Sequence, residues 1–560
     1  MLARFLPLTA AAALVAAVWP PPRAAAQAGA SPITFTDVTT AAGIRFRHTN
    51  GAFGRKYLPE TMGSGVVIFD ADGDGDQDLF LSNGRNWPGQ PASGLPAFYK
   101  NNGTGGFVES TRAAGLAVPM YGMGGSAADY DNDGDTDLFT TGVDGNHLFR
   151  NDGAGVFTDV IAASGLAPST GFATGSAWVD YDNDGALDLL VVNYVTWSVA
   201  TDKTCSLDGK NKSYCTPEAY KGASPVLYKG GKGGRFTDVT KAAGLLDPQA
   251  KALGIALLDY DQDGWLDLFV ANDTRPNRLY RNTGKGSFVD EAVTAGVAFS
   301  DAGVPRAGMG TDAADYDGSG RPSLVVGNFT SEMIALYHNE GGGLFIDEAP
   351  TNAIGPASMQ TLTFATLFVD VDLDGRQDIL AVNGHVADDI TVVQPKIRHA
   401  QPPHLFRNLG NKRFEPIGDK VGPAFQKPIV GRGAACGDLD GDGDLDLVLT
   451  ENNGPARYLR NDGGNRQRWL RVLLKGTKSN RSGIGATVTA TLAGGAKRWG
   501  MVKTGSSYLS QSELPLTFGL GAEARVAALE VRWPSGQVDT IGSVDANRAI
   551  TIVEGRGLEK

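Results

Sequence analysis

Residues 70–78 read DADGDGDQD, with carboxylates at the first, third, fifth and ninth positions and glycine at the sixth. Alternate residues of a tight loop turn several carboxylates inward, and Ca2+ takes about six to eight oxygen ligands. Glycine at position six supplies the positive φ that closes such a loop. An EF-hand opens in the same way but needs flanking helices and a glutamate at position twelve. Position twelve here is Leu81, and the flanks VVIF and LFL alternate and branch as strands do. The stretch reads as a cation loop inside a β-hairpin.

The loop recurs along the chain, starting at Asp70, Asp129, Asp180, Asp259, Asp315, Asp370 and Asp438. None of the seven has glutamate at position twelve. Six keep all four carboxylates, and these are the expected Ca2+ ligands: Asp70, Asp72, Asp74 and Asp78; Asp129, Asp131, Asp133 and Asp137; Asp180, Asp182, Asp184 and Asp188; Asp259, Asp261, Asp263 and Asp267; Asp370, Asp372, Asp374 and Asp378; Asp438, Asp440, Asp442 and Asp446. The fifth, DYDGSGRPS, keeps Asp315 and Asp317 but has Ser319 and Ser323 at the other two positions, so a weak or empty site is expected there. One such loop is an ordinary solvated Asp-Gly turn as readily as a metal site. Six with one pattern are not.

Two other strings repeat in register with the loops. Strands of the FTDV type begin at Phe35, Phe107, Phe157, Phe236, Phe288, Phe345 and Phe414. Strands of the L-(F/Y)-R-N type end at Asn101, Asn151, Gly230, Asn282, Asn339, Asn408 and Asn461. Successive loops are 51 to 79 residues apart, which suits one four-stranded propeller blade each. The expected fold is all-β: a seven-bladed β-propeller over residues 29–465, followed by a separate, small β-sandwich-like domain over 466–556. The first FTDV strand precedes any loop and the last L-(F/Y)-R-N strand has none after it. The N-terminal strand is therefore expected to complete the last blade.

Composition agrees. Glycine supplies 75 of 560 residues without a collagen period, and hydrophobic residues make up 42%. The formal net charge of −12 excludes a nucleic-acid binder. The seven loops hold 29 of the 62 acidic residues, a density of like charge that calls for cations. Residues 1–28 read as a signal peptide, with Arg4, an apolar run and a small-residue cleavage site, so a secreted protein, periplasmic or extracellular, is expected, with no membrane span after cleavage. Cys205 and Cys215 lie ten apart in a polar insertion and suit an export-compatible disulfide, while Cys436 reads as a buried thiol.

The tail carries NRSGIGA from Asn480, GSSYLSQS from Gly505, FGLG from Phe518 and VRWPSG from Val531. These motifs resemble the ASPIC/UnbV domain, and the loops with their R-N-x-G turns resemble FG-GAP repeats. Together they cover nearly all of the mature chain and resemble the cartilage acidic protein family, in the form of a bacterial-type member lacking the EGF-like module. The resemblance implies a secreted, calcium-binding, seven-bladed protein with no established catalytic activity.

Three insertions, at residues 85–96, 194–225 and 384–403, mark one face as the binding surface. His48, Glu60 and His385 are candidates to converge there as a transition-metal or polar ligand site, weighed against ordinary hydrogen-bonded loop residues. No Gly-x-Ser-x-Gly, HExxH or Walker string is present. The expected function is a binding or scaffold module for a glycan or protein ligand, with about six structural Ca2+ ions. The alternative is a calcium-dependent polysaccharide lyase or hydrolase on the same propeller.

Overall fold

The computed structural model describes residues 33–166, 171–231 and 233–559. The expected signal peptide lies outside them. Each aspartate loop joins the first two strands of a four-stranded antiparallel sheet, and seven such sheets form. Blade one, for example, runs Val66–Phe69, Asp78–Leu81, Ala97–Asn101 and Phe107–Glu109. Blade seven runs Gly431–Gly437, Asp446–Glu451 and Arg457–Asn461, and its fourth strand is the N-terminal Phe35–Asp37, with Phe35 opposite Asn461. The first strand of each blade packs on the first strands of both neighbours, blade seven against blade one included, so the ring is closed. Apolar side chains fill the gaps between blades; Val66 and Ile68 of blade one meet Ala435 and Val448 of blade seven there.

Neighbouring blades are also bridged by hydrogen bonds from the third strand. The Asn408 amide nitrogen donates to Gln377 O in its own loop (3.0 Å) and to Tyr316 O in the preceding blade (2.7 Å). Asn101, Asn151, Asn282, Asn339 and Asn461 make the same crossing. Blade three has Gly230 instead, where a Cβ would lie 2.1 Å from Leu187 O.

The tail forms two sheets, one with the parallel pair Arg468–Lys475 and Arg548–Val553, the other centred on Thr487–Leu492 and Arg525–Arg532. It is less separate than its sequence suggests. Its core residues Val488, Leu529 and Val531 belong to one apolar cluster with Trp178, Tyr130 and Phe139 of blades two and three. Residues 503–513 leave the tail and enter the hub. Thr504 bonds both the amide and carbonyl of Trp178 (2.8 and 2.9 Å), Ser507 pairs with Thr311, and Gln511 pairs with Val66 and Ile68. The Gln511 side chain clasps the Ala127 backbone, and Tyr508 reaches Met62 O at 3.0 Å while its ring meets Phe364. The approach is close: a Cβ on Gly124 would lie 2.4 Å from Leu509 O. GSSYLSQS is the plug of the propeller.

Replacing Asn408 by alanine strands the buried Tyr316 carbonyl, at about 1–3 kcal/mol, and the half-buried Gln377 carbonyl. The variant is expected to melt several degrees below the parent in calorimetry; an unchanged melt would show that the crossing bond does not hold the ring.

Candidate metal centres

In loop one the position-one carboxylate organises the turn. Asp70 accepts from the amides of Gly73 (2.8 Å) and Gly75 (3.0 Å), and Gly75 has φ +97°. Position nine braces the blade: Asp78 accepts from the Ala71 amide (3.0 Å) and from the Asn101 amide of the third strand (2.8 Å). The same two bonds recur at Asp137, Asp188, Asp267, Asp378 and Asp446. These oxygens keep a second lone pair each. One oxygen from each of Asp70, Asp72 and Asp78 lies within 4.8 Å of the others, and so do those of Asp129, Asp131 and Asp137, of Asp180, Asp182 and Asp188, and of Asp259, Asp261 and Asp263. Burial, with nearby carboxylates adding to it, pushes Asp78 up to about 7 and Asp137 and Asp267 up to about 9.

In loops one, three, six and seven the position-three carboxylate is under-bonded, whereas Asp131 and Asp261 accept from the amides of Asp133 and Asp263. Oδ1 of Asp72, Asp182 and Asp372 is buried with no donor, as is Oδ1 of Asp438, Asp440 and Asp444 in loop seven. A buried acceptor without a partner is costly, and an all-oxygen set at these spacings fits a hard cation. The third strand partly offsets the charge. Lys100 sits 3.1 Å from Asp72, Lys229 bonds Asp182, and Arg407 sits 2.6 Å from Asp372. The L-(F/Y)-R-N repeat was legible as a strand; that its basic residue leans on position three was not.

The fifth loop is built differently. The Ser323 hydroxyl takes the place of the position-nine carboxylate and accepts from the Asn339 amide (3.1 Å). His338 bonds Asp317 (2.8 Å) and Glu340 (2.8 Å), and Lys412 sits 2.9 Å from Glu348. Asp315 keeps its turn-forming bonds to Gly318 and Gly320. Here His338 and Lys412 stand among the acidic side chains.

On the opposite face the insertions meet over the hub. Cys205 and Cys215 are joined by a disulfide in the blade-three insertion. From it Tyr214 reaches Glu60 (3.1 Å) and Ser213 reaches Asp389 (2.9 Å), while Lys56 pairs with Asp388 (2.6 Å). Glu60 is buried, its other oxygen taken by Trp87 Nε1 (3.1 Å). His48 Nδ1 accepts from the Asn453 amide and His385 Nδ1 from the Ala387 amide, both at 3.0 Å. Each neutral imidazole then carries its proton on Nε2, which is buried with no partner in either residue; an N–H there suits a polar acceptor rather than a transition metal. Burial, with the Arg432 charge also acting, draws His48 down to about 3 and His385 to about 4. Arg432, not singled out by the sequence, is fully buried and donates to Thr61 O (2.6 Å), Gly431 O (2.6 Å) and Gly384 O (3.0 Å). Cys436 is a buried free thiol, pushed up to about 12 by burial.

These features define a closed seven-bladed β-propeller with an aspartate loop in every blade and a C-terminal β domain that fills its hub. The chain belongs to the FG-GAP-like repeat family, whose model matches residues 70–140, 129–191, 259–326, 315–381 and 382–449, and the ASPIC and UnbV model matches residues 476–559. It is similar to cartilage acidic protein 1 of Mus musculus, 26% identical over 531 residues, covering 88% of this chain and 74% of that one. The Homo sapiens protein is 25% identical over 529 residues, covering 88% and 72%. Among solved structures, an Agrocybe aegerita lectin specific for non-reducing terminal N-acetylglucosamine matches with TM-score 0.38 and 16% identity, over 78% of this chain and 96% of that one. A Bacillus licheniformis rhamnogalacturonan lyase matches with TM-score 0.35 and 12% identity, over 77% and 75%. At TM-scores this low neither likeness bears on function.

Burial, opposed by its hydrogen bonds, lifts Glu60 from an ordinary 4.5 to about 7. Between those values the fold holds a proton that the unfolded chain releases, so this group costs stability as pH rises. Glu60→Gln mimics the protonated form. Its melting temperature relative to the parent is expected to rise from pH 5 to pH 8; a constant difference would contradict the burial of this carboxyl.

Proposed function

We propose that this is an exported propeller held rigid by calcium, working as a binding or scaffold module for a glycan or protein. The observation that carries the calcium reading is the set of buried, donor-free carboxylate oxygens in loops one, three, six and seven. Positions one, three, five and nine of the six complete loops would hold the ions, which would supply the positive charge that these oxygens lack. The fifth loop, with His338 and Lys412 in place, would take none or bind weakly. Oxidised Cys205 and Cys215 agree with export.

The binding face is the one built by the insertions. The hub is filled by residues 503–513, so a ligand meets a roofed surface rather than an open channel. Phe53, Val199, Leu207, Val392 and Val393 are exposed apolar side chains on the segments that form this roof. Adjacent Val392 and Val393, the most exposed pair among them, are the first residues to test as partner contacts.

Two measurements check the reading. Chelation is expected to lower the melting temperature by about 10 °C or more, because six saturated sites each add stability by mass action; an unchanged melt with no calcium in elemental analysis would sink it. Screening against polysaccharides and secreted proteins of the source is expected to find binding that Val392→Glu with Val393→Glu abolishes. Release of new reducing ends or unsaturated products would instead establish the enzyme.

A further inference from the structure

At the third-strand position held by Lys100, Lys229 and Arg407 in their blades, blade five carries His338, and every other blade has lysine or arginine. Blade five is also the one whose loop has Ser319 and Ser323 in place of two carboxylates. A hard, oxygen-seeking ion has lost ligands in the blade where a nitrogen has appeared. Imidazole nitrogen suits first-row transition dications rather than Ca2+.

His338 is buried between acidic groups. Its Nε2 lies 2.8 Å from Asp317 Oδ2, and its Nδ1 lies 2.8 Å from Glu340 Oε1 and 3.8 Å from Glu348 Oε1. Tyr316 donates to the other Glu348 oxygen at 2.6 Å and fixes that carboxylate. Nδ1 and one oxygen from each glutamate all lie within 4.8 Å of one another. Ligands of one zinc-sized ion stand about 3–4 Å apart, given bonds of about 2.0–2.2 Å. The Lys412 ammonium occupies the middle of the set, 3.0 Å from Nδ1, 2.9 Å from Glu348 Oε1 and 3.5 Å from Glu340 Oε1.

Protons alone do not satisfy Nδ1. With the ring neutral and Nε2–H given to Asp317, Nδ1 accepts from Lys412 but turns its lone pair on Glu340 Oε1. With the ring protonated, Nδ1–H donates to Glu340 but faces the ammonium. A dication in the place of the ammonium removes the conflict, because Nδ1 and both glutamate oxygens then become ligands. Asp317 on Nε2–H is the carboxylate that commonly stands behind a metal-bound histidine. The side chains of Lys412 and Glu340 are 37% and 40% exposed against 2% for His338, so the amine can swing out and the ion enter from solvent.

We propose that His338, Glu340 and Glu348 form a site for one first-row transition dication of the Zn2+ type, with Lys412 as its built-in competitor. The site is distinct from the calcium loops and does not rest on their occupancy.

The test is calorimetric titration of the full-length protein with Zn2+ in excess calcium, and electron paramagnetic resonance with Cu2+ in its place. One Zn2+ per chain is expected, at least tenfold tighter in Lys412→Met than in the parent, together with a Cu2+ spectrum coupled to one nitrogen. His338→Gln is expected to abolish both. His147→Gln, which removes the imidazole paired with Asp159 on blade two, is expected to alter neither. If His338→Gln melts early, exposed Glu340→Gln carries the comparison and is expected to bind at least tenfold more weakly. The proposal fails if Zn2+ binds neither the parent nor Lys412→Met, or if Lys412→Met binds no more tightly than the parent. It fails equally if the His338 or Glu340 variant binds like the parent.

Discussion

Six of the seven blades hang on a buried aspartate at the ninth loop position. One oxygen takes the amide that opens the loop and the other takes an amide of the third strand, so a single carboxylate ties three strands of a blade together. Burying that charge is unfavourable, and burial raises these groups far above ordinary aspartate. The rest of the loop face follows from this cost. Amides, the basic residue of the third strand and, on our reading, a calcium ion supply the compensating positive charge. Where the carboxylate is lost, at Ser323, the blade replaces the arrangement with a hydroxyl and an internal histidine.

The tail lies on that same face. Arg481 approaches Asp129 (3.6 Å), Gly521 bonds Leu373 O (3.0 Å), and Glu513 accepts from the Asp438 amide (3.2 Å). Its plug then runs through the hub to Met62. Loop geometry and tail seating are thus one mechanical unit, and calcium held by the loops would stiffen the seat of the tail as well as the blades. The opposite face is left to the insertions, which bond to one another across the hub. The molecule is divided into a face where the loops meet the tail and a face built by the insertions.

The expectations read from residues were strongest where the information is local. Loop, strand and turn repeat within some sixty residues, and side-chain alternation follows from backbone geometry alone. Hence the blade count, the closure by Phe35–Asp37 and the exceptional fifth loop are all legible in the chain alone. GSSYLSQS is legible as a family motif but not as a plug, and nothing local marks Arg432. Their partners lie hundreds of residues away; Gln511 and Ala127 are 384 apart. His48 and His385 were legible as candidate ligands by residue type; that backbone amides occupy their Nδ1 atoms and leave each buried Nε2 without a partner was not.

What the sequence by itself determined is the repeated unit: an all-β chain of seven hairpin-borne acidic loops and a distinct tail. What the tertiary structure decided is how the repeats are joined and what fills their centre. A blade is specified by neighbours in the chain, whereas the crossing asparagines, the plug, the roof of insertions and the meeting of Lys412 with His338 arise only when the ring closes and brings remote segments within hydrogen-bonding distance.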